Sequence, residues 1–182
     1  CGAANASSSS VGLSAASWLA RLPWLIAGLA GSVVATSIVA GFESALSSKP
    51  AIAFFVPGLV YLADAIGTQS EAVAVRGLSL TNVGLARLLG GELRSGLLIG
   101  LVLALLAFPM VWAGFGELRL AGAVALSLAG ASAVASVLGL LLPWLLGRLG
   151  SDPAYGSGPL ATIVQDVLSL LIYFGFVGMI VL

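Results

Sequence analysis

Long apolar runs alternate along this chain with short polar breaks. Five runs reach the roughly 20 residues a helix needs to cross the hydrocarbon of a bilayer: Trp24 to Leu46, Pro50 to about Arg76, Ser95 to about Phe115, Leu120 to Leu146, and about Pro159 to Leu182. The breaks are "SSKP" at 47–50, "GFGE" at 114–117 and "GRLGSDPAYGSGP" at 147–159. Between the second and third runs, "SLTNVGLARLLGGELR" at 79–94 sets Arg87 and Arg94 among leucines, the pattern of a short interfacial amphipathic helix. The pattern therefore predicts an all-α integral membrane protein with five spans and one short interfacial helix over 18–182. The Ser/Ala/Gly-rich stretch before it, 1–17, reads as a flexible tail.

Composition strengthens this picture. Of 182 residues, 60% are hydrophobic and only 8% charged, against about 25% charged in a soluble domain. Seven basic residues balance seven acidic ones, so the chain lacks the basic field that nucleic-acid binding requires. One cysteine and no histidine exclude disulfides, Cys/His zinc sites and an imidazole base. Residue 1 is Cys rather than Met, which reads as a processed or truncated product; a lipidated Cys1 would put the N-terminus outside.

Charge placement argues against that orientation. One side of the membrane collects Arg21, Arg76, Arg87, Arg94 and Arg148, the other only Lys49 and Arg119. The excess of basic residues marks the cytoplasmic side. The N-terminus is thus expected in the cytoplasm and the C-terminus outside a plasma (inner) membrane.

Small residues fill the first run, "GLAGSVVATSIVAG", and the fourth, "AGAVALSLAGASAVASVLG". Small side chains let lipid-embedded helices approach closely, so both segments are expected to be packing elements. Thr36, Ser37, Ser132 and Ser136 read as interhelical or back-bonded hydroxyls.

The acids carry the candidate chemistry. A carboxylate at mid-bilayer costs about 2.5 to 3.5 kcal/mol, against a few tenths gained per leucine. Asp64, Glu71 and Asp166 therefore require water, a partner or a cation. Asp64, Thr68 and Glu71 share one stripe of the second span, and Thr162, Asp166, Ser169 and Tyr173 form a stripe of the last, kept slim by Gly158, Gly175 and Gly178. Two such stripes meeting inside a bundle offer oxygen ligands without sulfur or imidazole, which suits Mg²⁺, Ca²⁺ or Mn²⁺, with protons and sodium as alternatives. Pairing with arginine is the structural alternative for each acid, though no basic residue lies near Asp166 in the last two runs. Glu43 and Glu92 sit near helix ends as candidate interfacial acids.

Beyond these patterns, "GSDPAYGSGPLATIVQDVLSLLIYFG" (150–175) and "AFFVPGLVYLADAIGTQSEAVAVRGL" (53–78) resemble the signatures of the membrane domain of the MgtE magnesium transporter family, with "GFE" at 41–43 and "GELRSGLLIG" at 91–100 in support. The resemblance implies a homodimer whose ion path runs at the dimer axis between the second and fifth spans, with the central carboxylate at Asp166. It also brings Gly67 and Gln69, from "GTQS", into the candidate path. Where many members read Asp-Met-Gly-Gly-Asn-Ala-Gly, this chain has "YLADAIG" at 61–67, so an amide is missing at Ala65 and an acid stands at Asp64. Family members also carry soluble regulatory regions, expected here from another segment or subunit.

The function expected from these features is channel-like Mg²⁺ transport, with Mn²⁺, Ca²⁺ or Co²⁺ as other cargoes and no enzymatic activity. A proton- or sodium-coupled exchanger is the alternative. An intramembrane aspartyl protease using Asp64 and Asp166 lacks its Tyr-Asp and Gly-x-Gly-Asp contexts, and a non-conducting membrane subunit is the remaining class.

Overall fold

A computed structural model describes residues 15–78, 84–150 and 153–182 of the chain. They form six helices, α1 (Ala15–Gly41), α2 (Glu43–Ser48), α3 (Ala51–Leu78), α4 (Leu85–Phe115), α5 (Leu118–Arg148) and α6 (Pro153–Ile180). All but α2 contain stretches long and apolar enough to cross a membrane.

The short helix is not where the hydrophobic pattern placed it. Residues 85–94, expected in a separate interfacial helix, are the first turns of α4, and 79–83 lie outside the described residues. No proline falls between Leu85 and Phe108, Pro109 lying in the last turns of the helix, so the amide ladder runs unbroken from Leu85 into the apolar run, and lipid penalises any break that leaves backbone groups unpaired. At 31 residues, α4 is about 46 Å long against a hydrocarbon thickness of about 30 Å, so its Arg87 and Arg94 turns extend past the apolar layer. The short helix that does occur arises because the first run divides at Phe42 (φ −106°, ψ 19°). The Phe42 ring stacks on Phe174 of α6 with centroids 4.4 Å apart and planes 13° from parallel. Glu43 opens α2, where an acid favours the positive end of the helix dipole.

The final break is also narrower than the breakers suggested, because α6 starts at Pro153. A proline in the first turn sacrifices an amide that has no helical partner anyway. The tail expected over 1–17 overlaps α1 from Ala15, and residues 1–14 lie outside the described residues. Gly116, at φ 69°, closes α4 in the left-handed region and donates its N–H to the Trp112 carbonyl at 2.8 Å, freeing the chain to reverse into α5.

Helix α5 is the centre of the bundle and packs on α3, α4 and α6. Its alanines, serines and glycines do what the sequence suggested for that run, because backbones meet with almost nothing between them. A Cβ on Gly96 or Gly100 of α4 would press on Ser132, Ser136 or Ala129 of α5. Helix α1 behaves differently: it packs along α6, and none of its residues from 22 to 41 is buried. Its small residues are not a packing seam within this chain, apart from Gly31, which receives Ile163. Thr36 and Ser37 bond back to the carbonyls of Ser32 and Val33 at 2.8 Å, as expected of membrane hydroxyls.

Lys49 donates to Glu117 Oε2 at 2.6 Å, tying the α2–α3 connection to the α4–α5 connection at one end of the bundle. Both side chains are about one-third exposed, at 33% and 39%. Lys49→Ala should therefore lower stability by no more than about 1 kcal/mol, an effect that shrinks with added salt; unfolding midpoints in detergent at two ionic strengths check it.

Candidate functional site

Helices α1, α3 and α6 leave between them a cavity of about 560 Å³. Its α3 wall is Val56, Pro57, Val60, Tyr61 and Asp64, its α6 wall Thr162, Asp166 and Leu170, and its α1 wall Ala35, Thr36 and Val39. A second cavity of about 390 Å³ continues along α1 and α6 toward Trp24 and Pro159. The two share Ala35, Thr162 and Asp166, so the Asp166 carboxylate stands at a waist between them.

The geometry at that waist follows from helix periodicity. Thr162 and Asp166 are one turn apart on α6 and therefore share a face. Thr162 Oγ1 donates to Asp64 Oδ1 at 3.0 Å, the cross-link that brings the α3 acid beside the α6 acid. The hydroxyl occupies one lone pair of Asp64 and leaves the rest of both carboxylates to face the cavity. Among the described residues no lysine or arginine lines either cavity, so no ion pair described here accounts for these two acids. Two carboxylates and a threonine hydroxyl on the wall of a largely apolar groove offer hard oxygen ligands of the kind a cation such as Mg²⁺ or Ca²⁺ takes.

The remaining sequence candidates separate. Gly67 is buried against Gln165 rather than open to the cavity, while Thr68 and Gln69 are exposed on the outer surface of α3 and Glu71 is half-buried. None of these four, nor the half-buried Gly158, lines the two cavities. Glu43 is exposed and Glu92 half-buried near their helix ends.

Ser169 and Tyr173 depart from the expected pore-lining role. Both are buried within the bundle, at 3% and 0% exposure, and the Tyr173 hydroxyl donates to the Ile52 carbonyl at 2.7 Å. The stripe that faces the cavity at Thr162 and Asp166 faces the start of α3 two turns later, because the helices cross. Tyr173 is thus a pin between the ends of α3 and α6. Tyr173→Phe should cost about 1 kcal/mol and leave ion flux per folded molecule unchanged, which unfolding midpoints and vesicle uptake together test.

Two lining residues escaped the sequence although a signal for them existed. Extending the Asp64–Thr68–Glu71 stripe back by two turns reaches Tyr61 and Pro57, both on the cavity wall. Gln165 gave less warning. Its side chain is 2% exposed, and neither its nitrogen nor its oxygen has a hydrogen-bond partner, an arrangement that costs about 1–3 kcal/mol for each unpaired group.

A sequence profile of the MgtE family, described as a divalent cation transporter, matches residues 56–176. Among curated proteins, the chain is similar to the Magnesium transporter MgtE of Bacillus subtilis (strain 168), with 40% identity over 160 residues, covering 85% of this chain and 35% of that protein. It is also similar to proteins of the same name from Thermus thermophilus, at 39% over 159 residues (86% and 35% covered), and Enterococcus faecalis, at 37% over 164 residues (87% and 36%). The chain therefore spans about a third of the length of these relatives.

Proposed function

Since the chain belongs to the MgtE family of divalent cation transporters, we propose that it moves a divalent cation, Mg²⁺ first, across the bilayer past Asp166. The observation that carries this reading is the convergence of Asp64, Thr162 and Asp166 on one groove with no basic residue in its walls among the described residues. The relatives are named for magnesium, which supports that cargo ahead of Mn²⁺, Ca²⁺ or Co²⁺.

Two copies of the chain complete the path in this reading, with α3 and α6 of each facing a shared axis and both Asp166 carboxylates aimed at one ion. Mg²⁺ sheds water reluctantly and usually keeps several waters. The chain's oxygens then act through the ion's hydration shell, and the width of the waist discriminates by hydrated size. Asp64 holds Thr162 in place and adds a second negative charge behind Asp166. The membrane potential drives entry, at about 2.3 kcal/mol per charge per 100 mV, so no coupled ion is needed. The N-terminus lies in the cytoplasm, consistent with the side rich in arginine, and Lys49 and Arg119 lie outside. A soluble region, supplied by the same or another polypeptide, gates the path.

Reconstitution in vesicles tests this directly. An inside-negative potential should drive Mg²⁺ uptake without a proton or sodium gradient. Uptake that follows only an imposed proton or sodium gradient would replace channel-like flow with coupled exchange, and no divalent flux under any gradient would reject the transport reading.

A further inference from the structure

Gln165 precedes Asp166 on α6, and its side chain points into the seam with α3 rather than toward the cavity. There it abuts the α3 backbone at Gly67, where a Cβ would run into the carboxamide itself. It is 2% exposed and wholly unpaired. Packing alone would be better served by leucine or methionine, which fill similar space without buried polar atoms. The other buried side chain without a partner among the described residues, Ser136, has an inexpensive remedy, since a helical hydroxyl can turn onto its own backbone. A carboxamide brings two donors and an acceptor and has no equivalent local outlet.

Its position is as telling as its orphaned state. Two contacts beside Asp166 join α6 to α3: the Thr162–Asp64 hydrogen bond and the seat of Gln165 on Gly67. Any movement of α6 on α3 passes through both, and such movement re-aims Asp166. The missing Cβ at Gly67 gives the amide room to meet the α3 main chain or water admitted from the cavity once the helices shift.

We infer that Gln165 is a positioning residue for ion passage: its carboxamide lacks partners in the arrangement described here and gains them in a second packing of α6 on α3 that the transport cycle visits. The inference rests on the transport reading above and deepens it. A residue of this kind destabilises one state so that another remains within reach. Removing its polarity therefore favours the present arrangement and traps it.

Gln165→Leu and Gln165→Met separate this role from packing. Both variants of the full chain should raise the thermal unfolding midpoint in detergent while lowering Mg²⁺ uptake per folded molecule in vesicles at least tenfold. Gln165→Asn, which keeps a carboxamide, should retain more uptake than either. Flux equal to the unsubstituted protein in the Leu and Met variants would overturn the inference, as would a fall in stability or loss of folding in both, because the amide would then be satisfied where it stands. Absence of Mg²⁺ uptake by the unsubstituted protein is a separate failure, which removes the transport reading and this inference with it.

Discussion

Asp166→Asn should abolish most divalent uptake while leaving the bundle intact. At about 5 Å, the separation of a contact through one water layer, a carboxylate attracts a doubly charged ion by about 2 kcal/mol in bulk water and about 7 kcal/mol at an effective dielectric of about 20. Each 1.4 kcal/mol is a factor of about ten, so even the weaker figure lowers uptake by more than about tenfold, and a paired site loses two such charges. The substitution preserves shape and breaks no hydrogen bond described at Asp166. It also removes a negative charge facing the Asp64 carboxylate across the same cavity. The unfolding midpoint should therefore hold or rise while vesicle uptake of Mg²⁺ collapses. Uptake equal to that of the unsubstituted protein would move the ion path elsewhere in the chain.

The second large effect concerns α5. Gly139→Ala should destabilise the bundle by about 3 kcal/mol, because the added methyl meets the Gly67 carbonyl oxygen, Ser70 Cβ at 2.8 Å and the Glu71 amide nitrogen at 3.0 Å. Two of these atoms are backbone and cannot swing aside. The cost should be read against Gly122 of the same helix, where a Cβ would meet nothing within 4 Å. There alanine should be neutral or stabilising by up to about 1 kcal/mol, the usual helix preference over glycine. Opposite signs for two identical substitutions, measured by unfolding midpoints in one detergent, test whether α3 and α5 touch at Gly139. Equal effects would refute that contact.

Much of the fold was legible because the bilayer imposes its length on each helix. The runs beginning near Pro50, Leu120 and Pro159 all became helices long enough to span, and the cost of burying carboxylates pointed to Asp64, Glu71 and Asp166, of which Asp64 and Asp166 line one cavity and Glu71 does not. What escaped depended on how helices cross. A stripe drawn along α6 cannot tell that Thr162 and Asp166 face a cavity while Ser169 is buried and Tyr173 bonds to the start of α3. Composition was equally blind for α1, whose small residues matched those of α5 but lie on the outside of this chain. Gln165 read as one more polar residue beside an acid; its lack of partners exists only in three dimensions.

The arrangement of α1 carries a consequence for the living membrane. It supplies one wall of the cavity and, among the described residues, packs chiefly along α6, with no residue from 22 to 41 buried. Hydrophobic stretches tilt to match the thickness of the surrounding bilayer, and a tilt of α1 widens or narrows the enclosure beside Asp166. Acyl-chain length should therefore change the width of the groove beside Asp166 without any change in the residues that line it.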